Sequence, residues 1–343
     1  MMQTNEPTLN TINLKFCLIN AENLFLLFDQ ELPKNFTKLE EIQWQKLSTS
    51  LYENKPLFKT QHLARTLIDI NADIVMLCEV GGLESLRNFN SHFLNNQYSP
   101  ILIEGNSDRN IDVGFLIRKN QNYYFDLITH KNRDLNFLYS HEKQSIAQNY
   151  PIKIQSHKLS RDCAELRLFH HDVNKPFLII LLTHLKSPLD PERIDPNGSE
   201  RRAAELKTCL EIYKELETQF PQCPIIFAGD FNGQASSQLT DNEFKPIYDS
   251  TKLKDIFDIA NITTENRSTF YQVRSGLRSD GRQIDYCFIS PSAAPLLDPK
   301  SVCVYPYKDE FGSPLKKPET LEQKIALPSD HYPIVFCLDH ILF

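Results

Sequence analysis

Nine strand-length apolar runs punctuate this chain, at residues 14–19, 73–78, 98–103, 111–117, 163–169, 177–183, 224–228, 284–289 and 332–338. They are rich in Ile, Val, Leu and Phe, as buried strands are. Helical patterns sit between some of them. Leu63, Ala64, Leu67 and Ile68 follow Thr60, the predicted N-cap. After Ser199, the residues Ala203, Leu206, Leu210, Tyr213, Leu216 and Phe220 are spaced to make one buried helical stripe. Strands alternate with helices early in the chain, whereas residues 111–183 hold strands with no helix between them. An α/β class with mixed, partly antiparallel sheets is therefore expected.

The 343 residues contain no internal repeat and no low-complexity linker, which predicts one domain over residues 1–343 with a core of about 13–338. Apolar residues at 41% and charged residues at 24% exclude disorder, collagen and coiled coil. A net charge of −7 argues against coating nucleic acid by charge alone. The longest clean apolar run, 177–182, is far short of a membrane span, and the first residues lack the pattern of a secretory signal. Eight cysteines form no CxxC pair, and several lie inside apolar runs. Reduced thiols and a cytoplasmic location are expected. Three polar excursions interrupt the pattern, at 29–59, 130–161 and 298–328. The middle one carries six Lys and Arg against two acids, with Tyr139 and Tyr150 available to stack on bases, so it is predicted to offer a polyanion path if it borders the site.

The polar residues fall in a pattern against the strands. Asn20 and Glu22 follow the run 16–19, Glu79 follows 74–78, His184 and Lys186 follow 179–183, and Asp230 and Asn232 follow 225–229. Asp285 precedes 286–289, and Asp330 and His331 precede 333–337. If the last two strands run antiparallel to the others, all of these groups reach one edge of the sheets. Taken singly, each is an ordinary turn residue or a satisfied histidine. Taken together they are not, because independent turns have no reason to put acid, amide and imidazole at the ends of six core strands.

That edge would carry five carboxylates, Glu22, Glu79, Asp230, Asp285 and Asp330. Crowded carboxylates repel one another unless a cation sits among them. Oxygen ligands without thiolates suit Mg²⁺ or Mn²⁺, which would polarise a phosphate and stabilise charge on a leaving oxygen. Metal-assisted hydrolysis of a phosphate ester is the reaction class this pattern predicts.

In order, Asn20-Ala21-Glu22-Asn23-Leu24-Phe25, Glu79, Asp112-Val113-Gly114-Phe115-Leu116, Thr183-His184-Leu185-Lys186-Ser187, Gly229-Asp230-Phe231-Asn232, Ile284-Asp285-Tyr286 and Ser329-Asp330-His331 resemble the motifs of the endonuclease/exonuclease/phosphatase superfamily, the deoxyribonuclease-I-like proteins. The resemblance covers nearly the whole chain. It implies a four-layered α/β sandwich, two packed mixed β-sheets flanked by helices, with the site in a cleft at their shared edge. Asn20 and Glu79 look like the metal and phosphate shell, with Glu22 a further metal ligand and Asp330 supporting the metal region. Asp230 and Asn232 would orient and deprotonate water and hold phosphate, Asp285 would orient His331, and His184 resembles the second phosphate-contacting histidine. Either Asp230 or His331 could be the general base.

The tryptophan and Trp-Cys-Asp-Arg segment of the superfamily's inositol-polyphosphate 5-phosphatases are missing. Here those places read Phe227-Ala228 and Gln283-Ile284-Asp285-Tyr286. Asn23-Leu24-Phe25 with Arg109-Asn110-Ile111-Asp112-Val113 looks more like the prokaryotic hydrolases, many of them nuclease-like. Lys186, Arg109 and Arg161 are candidate phosphate contacts. The expected substrate is a phosphodiester of nucleic acid or a nucleotide. The alternatives are a phosphoinositide or other small phosphate ester, or an inactive binding module, and a monomer is expected.

Overall fold

A computed structural model describes residues 10–148, 156–190, 193–274 and 279–343. Two six-stranded sheets form its centre. In the first, the order across the sheet is Leu297–Val304, Ile334–Leu342, Thr11–Leu24, Ile74–Val80, Asp112–Arg118 and Tyr98–Ile101. In the second it is Lys254–Asp255, Asp285–Ile289, Ile225–Asp230, Leu178–His184, Cys163–Phe169 and Tyr124–Ile128. Each sheet has one parallel pair at its middle, Thr11–Leu24 with Ile74–Val80 and Leu178–His184 with Ile225–Asp230. The remaining neighbours are antiparallel, so both sheets are mixed.

The uninterrupted apolar runs have a direct packing cause. Along the first strand Phe16 and Leu18 enter the core between the sheets, while Cys17 and Ile19 join an outer cluster with Leu63, Leu67 and Phe89. Ile180, Leu182, Ile226 and Ala228 face the same central core, and Ile179, Leu181, Ile225 and Phe227 pack outward with Leu206, Leu210 and Tyr213. Alternate side chains of a strand point to opposite faces, and here both faces are covered. Helices Leu57–Ile70 and Gly82–Phe93 supply one outer layer and Ser199–Gln219 the other. This is the four-layered sandwich expected. Each fully buried Leu, Ile or Phe contributes about 1.5–3 kcal/mol of transfer free energy.

Three local expectations are corrected. A helix, Ser140–Ala147, lies among the 111–183 strands where none was expected. The first long helix begins at Leu57 behind Pro56, not after Thr60. The Thr60 hydroxyl donates back to the Lys55 and Pro56 carbonyls, at 3.1 and 3.0 Å, so it sits inside the first turn. Three strands of the two main sheets lie outside the expected runs, Tyr124–Ile128, Lys254–Asp255 and Leu297–Val304, the last of them starting one residue before the 298–328 excursion. All three are sheet edges. Edge strands tolerate exposed and polar residues, and Leu297–Val304 even contains Pro299 and a register break between Asp298 and Cys303. All eight cysteines are free thiols. No described helix is long and apolar enough to cross a membrane.

The sheet directions settle where the polar ends lie. Asp285–Ile289 runs antiparallel to Ile225–Asp230, and Ile334–Leu342 runs antiparallel to Thr11–Leu24. Strand starts and strand ends therefore meet at one edge. In the second sheet Asp230 is the direct register partner of both His184 and Asp285.

Candidate active site

The shared edge opens into a cleft of about 820 Å³ lined by Glu79, His184, Asp230, Asn232, Asp330 and His331, among others. Its floor is a hydrogen-bonded cluster. His331 Nδ1 lies 2.8 Å from Asp285 Oδ2, and its Nε2 lies 3.9 Å from both Asp230 Oδ2 and Asp330 Oδ1. Asn20 Nδ2 donates to Asp230 Oδ2 at 2.9 Å, and the Asn232 backbone N–H donates to Asp230 Oδ1 at 2.8 Å. His184 Nε2 lies 3.5 Å from Asp230 Oδ2. Asn20, Asp230 and Asp285 are each only 1% exposed.

The backbone is shaped to hold these groups. Glu22, Asn23, Glu79 and Asn232 all have positive φ, between 49° and 61°. Such conformations are uncommon outside glycine and cluster at functional sites. At Glu79 the pairing of its strand with Asp112–Arg118 shifts between Leu77 and Val80, and the first strand shifts between Asn20 and Leu24. Bulges of this kind re-aim a side chain out of the ladder. Beneath Asp230, Gly229 adopts φ 151°, and a Cβ there would lie 1.9 Å from the Thr183 carbonyl oxygen. Only glycine lets the two parallel strands approach this closely and carry His184 and Asp230 side by side. Ser329 closes the far side, its hydroxyl donating to the Asn20 carbonyl at 2.7 Å and accepting the His331 N–H at 3.1 Å.

Electrostatics divides the cluster into distinct states. Burial, followed by the neighbouring Asp285 charge, pushes Asp230 up to about 7. Burial opposes charge on His331, but Asp285, bonded to its ring, and then Asp230 and Asp330 outweigh it and hold the imidazole well above its ordinary range. Burial and the nearby Arg161 and His331 push His184 far down, so it is neutral. For Asp330, burial raises its pKa, but His331 and Lys324 more than compensate and keep it an anion.

The donor set fits a divalent cation at the mouth of this cluster. Donor atoms of Asp230, Asp285 and His331 lie within 4.8 Å of one another, and with the imidazole held as a cation beside Asp285 the carboxylate oxygens are the ones open to a metal. Asp285 and His331 are bonded together, yet Asp285 Oδ1 is buried with no hydrogen-bond partner among the described residues. Glu79 lines the cleft, and among the described residues only its Oε2 is engaged, accepting the Asn23 N–H at 3.1 Å. With Asp330 on the same wall, these are oxygen donors of the hard type.

Not every expected residue reaches the cleft. Glu22 does not join the acidic cluster: Lys59 Nζ binds it at 2.8 Å, Lys55 Nζ lies 3.6 Å away, and it lines a neighbouring depression. The crowding of five bare carboxylates is thus relieved in part by lysines that no motif marked. Asn20 and Asp285 stand behind Asp230 and His331 rather than on the cleft surface. The Lys186 ammonium donates to the carbonyls of Ser187 and Leu189, and Arg161 is buried with Nη1 on the Leu185 carbonyl. Arg109 does line the cleft. The described part of the 130–161 segment does not line it: Arg133 pairs with Glu215 on the outer helix, and Tyr139 packs on Phe137 and His157. Tyr150 and Lys153 lie outside the described residues.

Other cleft residues carried no sequence signal. Arg202 lines it while ion-paired to Glu243 at 2.7 Å, and Phe270 lines it with the Lys324 ammonium 3.7 Å from its ring centroid. Arg202 reads as one more helix residue and Phe270 lies outside every apolar run, and their partners are distant in the chain.

No protein-family model and no curated protein matches the sequence. Among solved structures it is similar to D. rerio TDP2 complexed with a single-strand DNA product, at 16% identity and TM-score 0.55, covering 95% of this chain and 98% of that one. It is also similar to an endonuclease/exonuclease/phosphatase family protein from Bacteroides thetaiotaomicron, at 14% identity and TM-score 0.56, covering 97% and 100%. The human Nocturnin catalytic domain with a bound sulfate anion aligns at 14% identity and TM-score 0.53, covering 95% and 93%. At these identities the likeness is one of fold.

Proposed function

We propose that this chain, which has the fold of the endonuclease/exonuclease/phosphatase, or deoxyribonuclease-I-like, superfamily, is a divalent-metal-dependent phosphoric ester hydrolase acting on a phosphodiester of nucleic acid or a nucleotide. The observation that carries this reading is the opposition of Asp230 to the His331–Asp285 pair across 3.9 Å, at the floor of a cleft also lined by Glu79. Burial and the Asp285 charge push Asp230 up to about 7 while the flanking carboxylates hold His331 above its ordinary range, so a carboxyl able to titrate near neutrality faces a retained imidazolium, a pairing suited to divided base and electrostatic roles.

Glu79 and Asp330 would hold Mg²⁺ or Mn²⁺, which when bound supplies positive charge to a phosphoryl oxygen and to the leaving oxygen. Asp230, near neutrality, accepts a proton from the attacking water and is kept in place by Asn20 and the Asn232 N–H. His331 stays protonated beside Asp285 and presents Nε2 to the phosphate, where negative charge grows in the transition state. This assigns the base to Asp230 and the electrostatic partner to His331. Neutral His184 stands on the other side of Asp230 and can donate a hydrogen bond to a phosphate oxygen. Arg109 extends cationic contact along the cleft. The D. rerio structure with bound single-strand DNA product supports nucleic acid as the substrate class.

The test is a parallel screen of single-stranded DNA, RNA, dinucleotides and inositol phosphates with Mg²⁺ and with Mn²⁺. Diester cleavage of nucleic acid or nucleotide, lost with a chelator, is the expected result. Turnover confined to inositol phosphates would reassign the substrate, and no turnover of any of them would remove the enzyme reading.

A further inference from the structure

Arg109 lines two cavities at once. One is the catalytic cleft, the other a depression of about 590 Å³ formed by the first strand's exit and the 51–59 segment. Asn23 Oδ1 accepts from Arg109 Nη2 at 2.7 Å, which fixes the guanidinium where the two meet.

The depression has a flat aromatic wall. The Tyr52 ring is stacked on Phe25, centroids 4.8 Å apart and planes 8° from parallel. Phe25 is buried, so one face of Tyr52 is covered while Tyr52 itself lines the depression. The Tyr52 hydroxyl is also hydrogen-bonded to the Asn110 side-chain amide. A ring held on its face and at its hydroxyl is preorganised, and little rotamer entropy remains to be lost when a second flat group stacks on it. The depression's lining charges balance, Lys55, Lys59 and Arg109 against Glu22, Glu53 and Asp108. Recognition there rests on the aromatic surface more than on net charge.

We propose that this depression is a stacking subsite for one nucleobase of single-stranded nucleic acid, with Tyr52 as the platform and Arg109 holding the phosphate that links that nucleotide to the cleft. The proposal rests on the phosphodiesterase reading above and adds to it where the strand leaves the catalytic centre. A base on an aromatic platform is recognised largely without regard to sequence, since every base has a π face. An abasic strand of equal length carries the same phosphates but nothing to stack.

The experiment compares two fluorescent decamers, oligothymidylate and its abasic analogue, in anisotropy titrations of the intact protein with chelator present to prevent turnover. Wild type should bind the thymidylate about 5- to 10-fold more tightly, the lower end of the range for one stacked base. Tyr52→Ala should erase that difference and leave the abasic affinity unchanged, and Tyr52→Phe should keep it. The difference should survive added salt that weakens both strands together. Equal affinity of wild type for the two decamers, binding of neither, or discrimination that persists in Tyr52→Ala would each overturn the subsite. The wild-type comparison stands even if Tyr52→Ala fails to fold. Turnover of bis-p-nitrophenyl phosphate with Mg²⁺ by the wild type tests the phosphodiesterase reading separately, and its absence would leave the binding result intact.

Discussion

His331 and Asp285 are joined at 2.8 Å, Nδ1 to Oδ2, although 46 residues separate them in the chain. Asp285 begins a strand of the second sheet and His331 lies just before Ile334–Leu342 of the first, so the pair exists because the sheets pack with their site edges flush. Asp285 fixes which ring nitrogen points into the cleft and stabilises the charge on the imidazole.

Such a pair should behave as one unit. His331→Ala and Asp285→Asn are each expected to slow hydrolysis by roughly 10²- to 10⁴-fold. The double variant should be little worse than the poorer single one, because groups acting together are not additive. Steady-state kinetics on a chromogenic diester decides this, and losses that multiply would argue against coupling.

The pH profile follows from the direction of two shifts. A protonated Asp230 cannot accept a proton, and its carboxyl has been pushed up to about 7. The rate should therefore rise as pH increases through that region, and a cation bound beside it moves this limb to lower pH. At higher pH the rate should fall as His331, held well above 6.5, finally loses its proton. The sign of each limb is fixed by which form works, the anion of Asp230 and the cation of His331. A profile flat from weakly acid to weakly alkaline pH contradicts the assignment, as does an acid limb left in place in Asp230→Asn.

Much of this site was legible in the sequence, because short motifs at strand ends need only the strand directions to converge. Glu79, His184, Asp230, Asn232, Asp330 and His331 do line one cleft. The motifs could not convey what distant residues do to them. Glu22 is tied to Lys59 and Lys55, and nothing in Asn20-Ala21-Glu22-Asn23 signals lysines 33 and 37 residues away. Lys186 stands two residues past His184 in a motif but spends its ammonium on local carbonyls. Edge strands such as Leu297–Val304 escaped notice because only their ends and one middle residue face the core.

Gly229 offers a stability test independent of chemistry. Its φ of 151° and the 1.9 Å approach to the Thr183 carbonyl leave no room for a methyl group. Gly229→Ala should cost at least ~2 kcal/mol from backbone strain and the clash together. Urea denaturation reads this directly, and a loss below a few tenths of a kcal/mol would mean that the strands do not approach as described.

Glu79→Gln keeps the acceptor for the Asn23 N–H and removes only the charge. Calorimetric titration with Mg²⁺ should show a weakened or absent site in this variant while thermal unfolding is little changed. Affinity equal to wild type would take Glu79 out of the metal shell.

The central claim is that Asp230 acts in metal-dependent hydrolysis of a phosphodiester, and the most direct measurement is the initial rate of bis-p-nitrophenyl phosphate cleavage by wild type and Asp230→Asn, with Mg²⁺ and with chelator. Wild type should turn over only with the metal, and Asp230→Asn should lose at least about 10²-fold under the same conditions. Wild-type turnover that is unaffected by chelator, or an Asp230→Asn rate equal to wild type, would contradict the account.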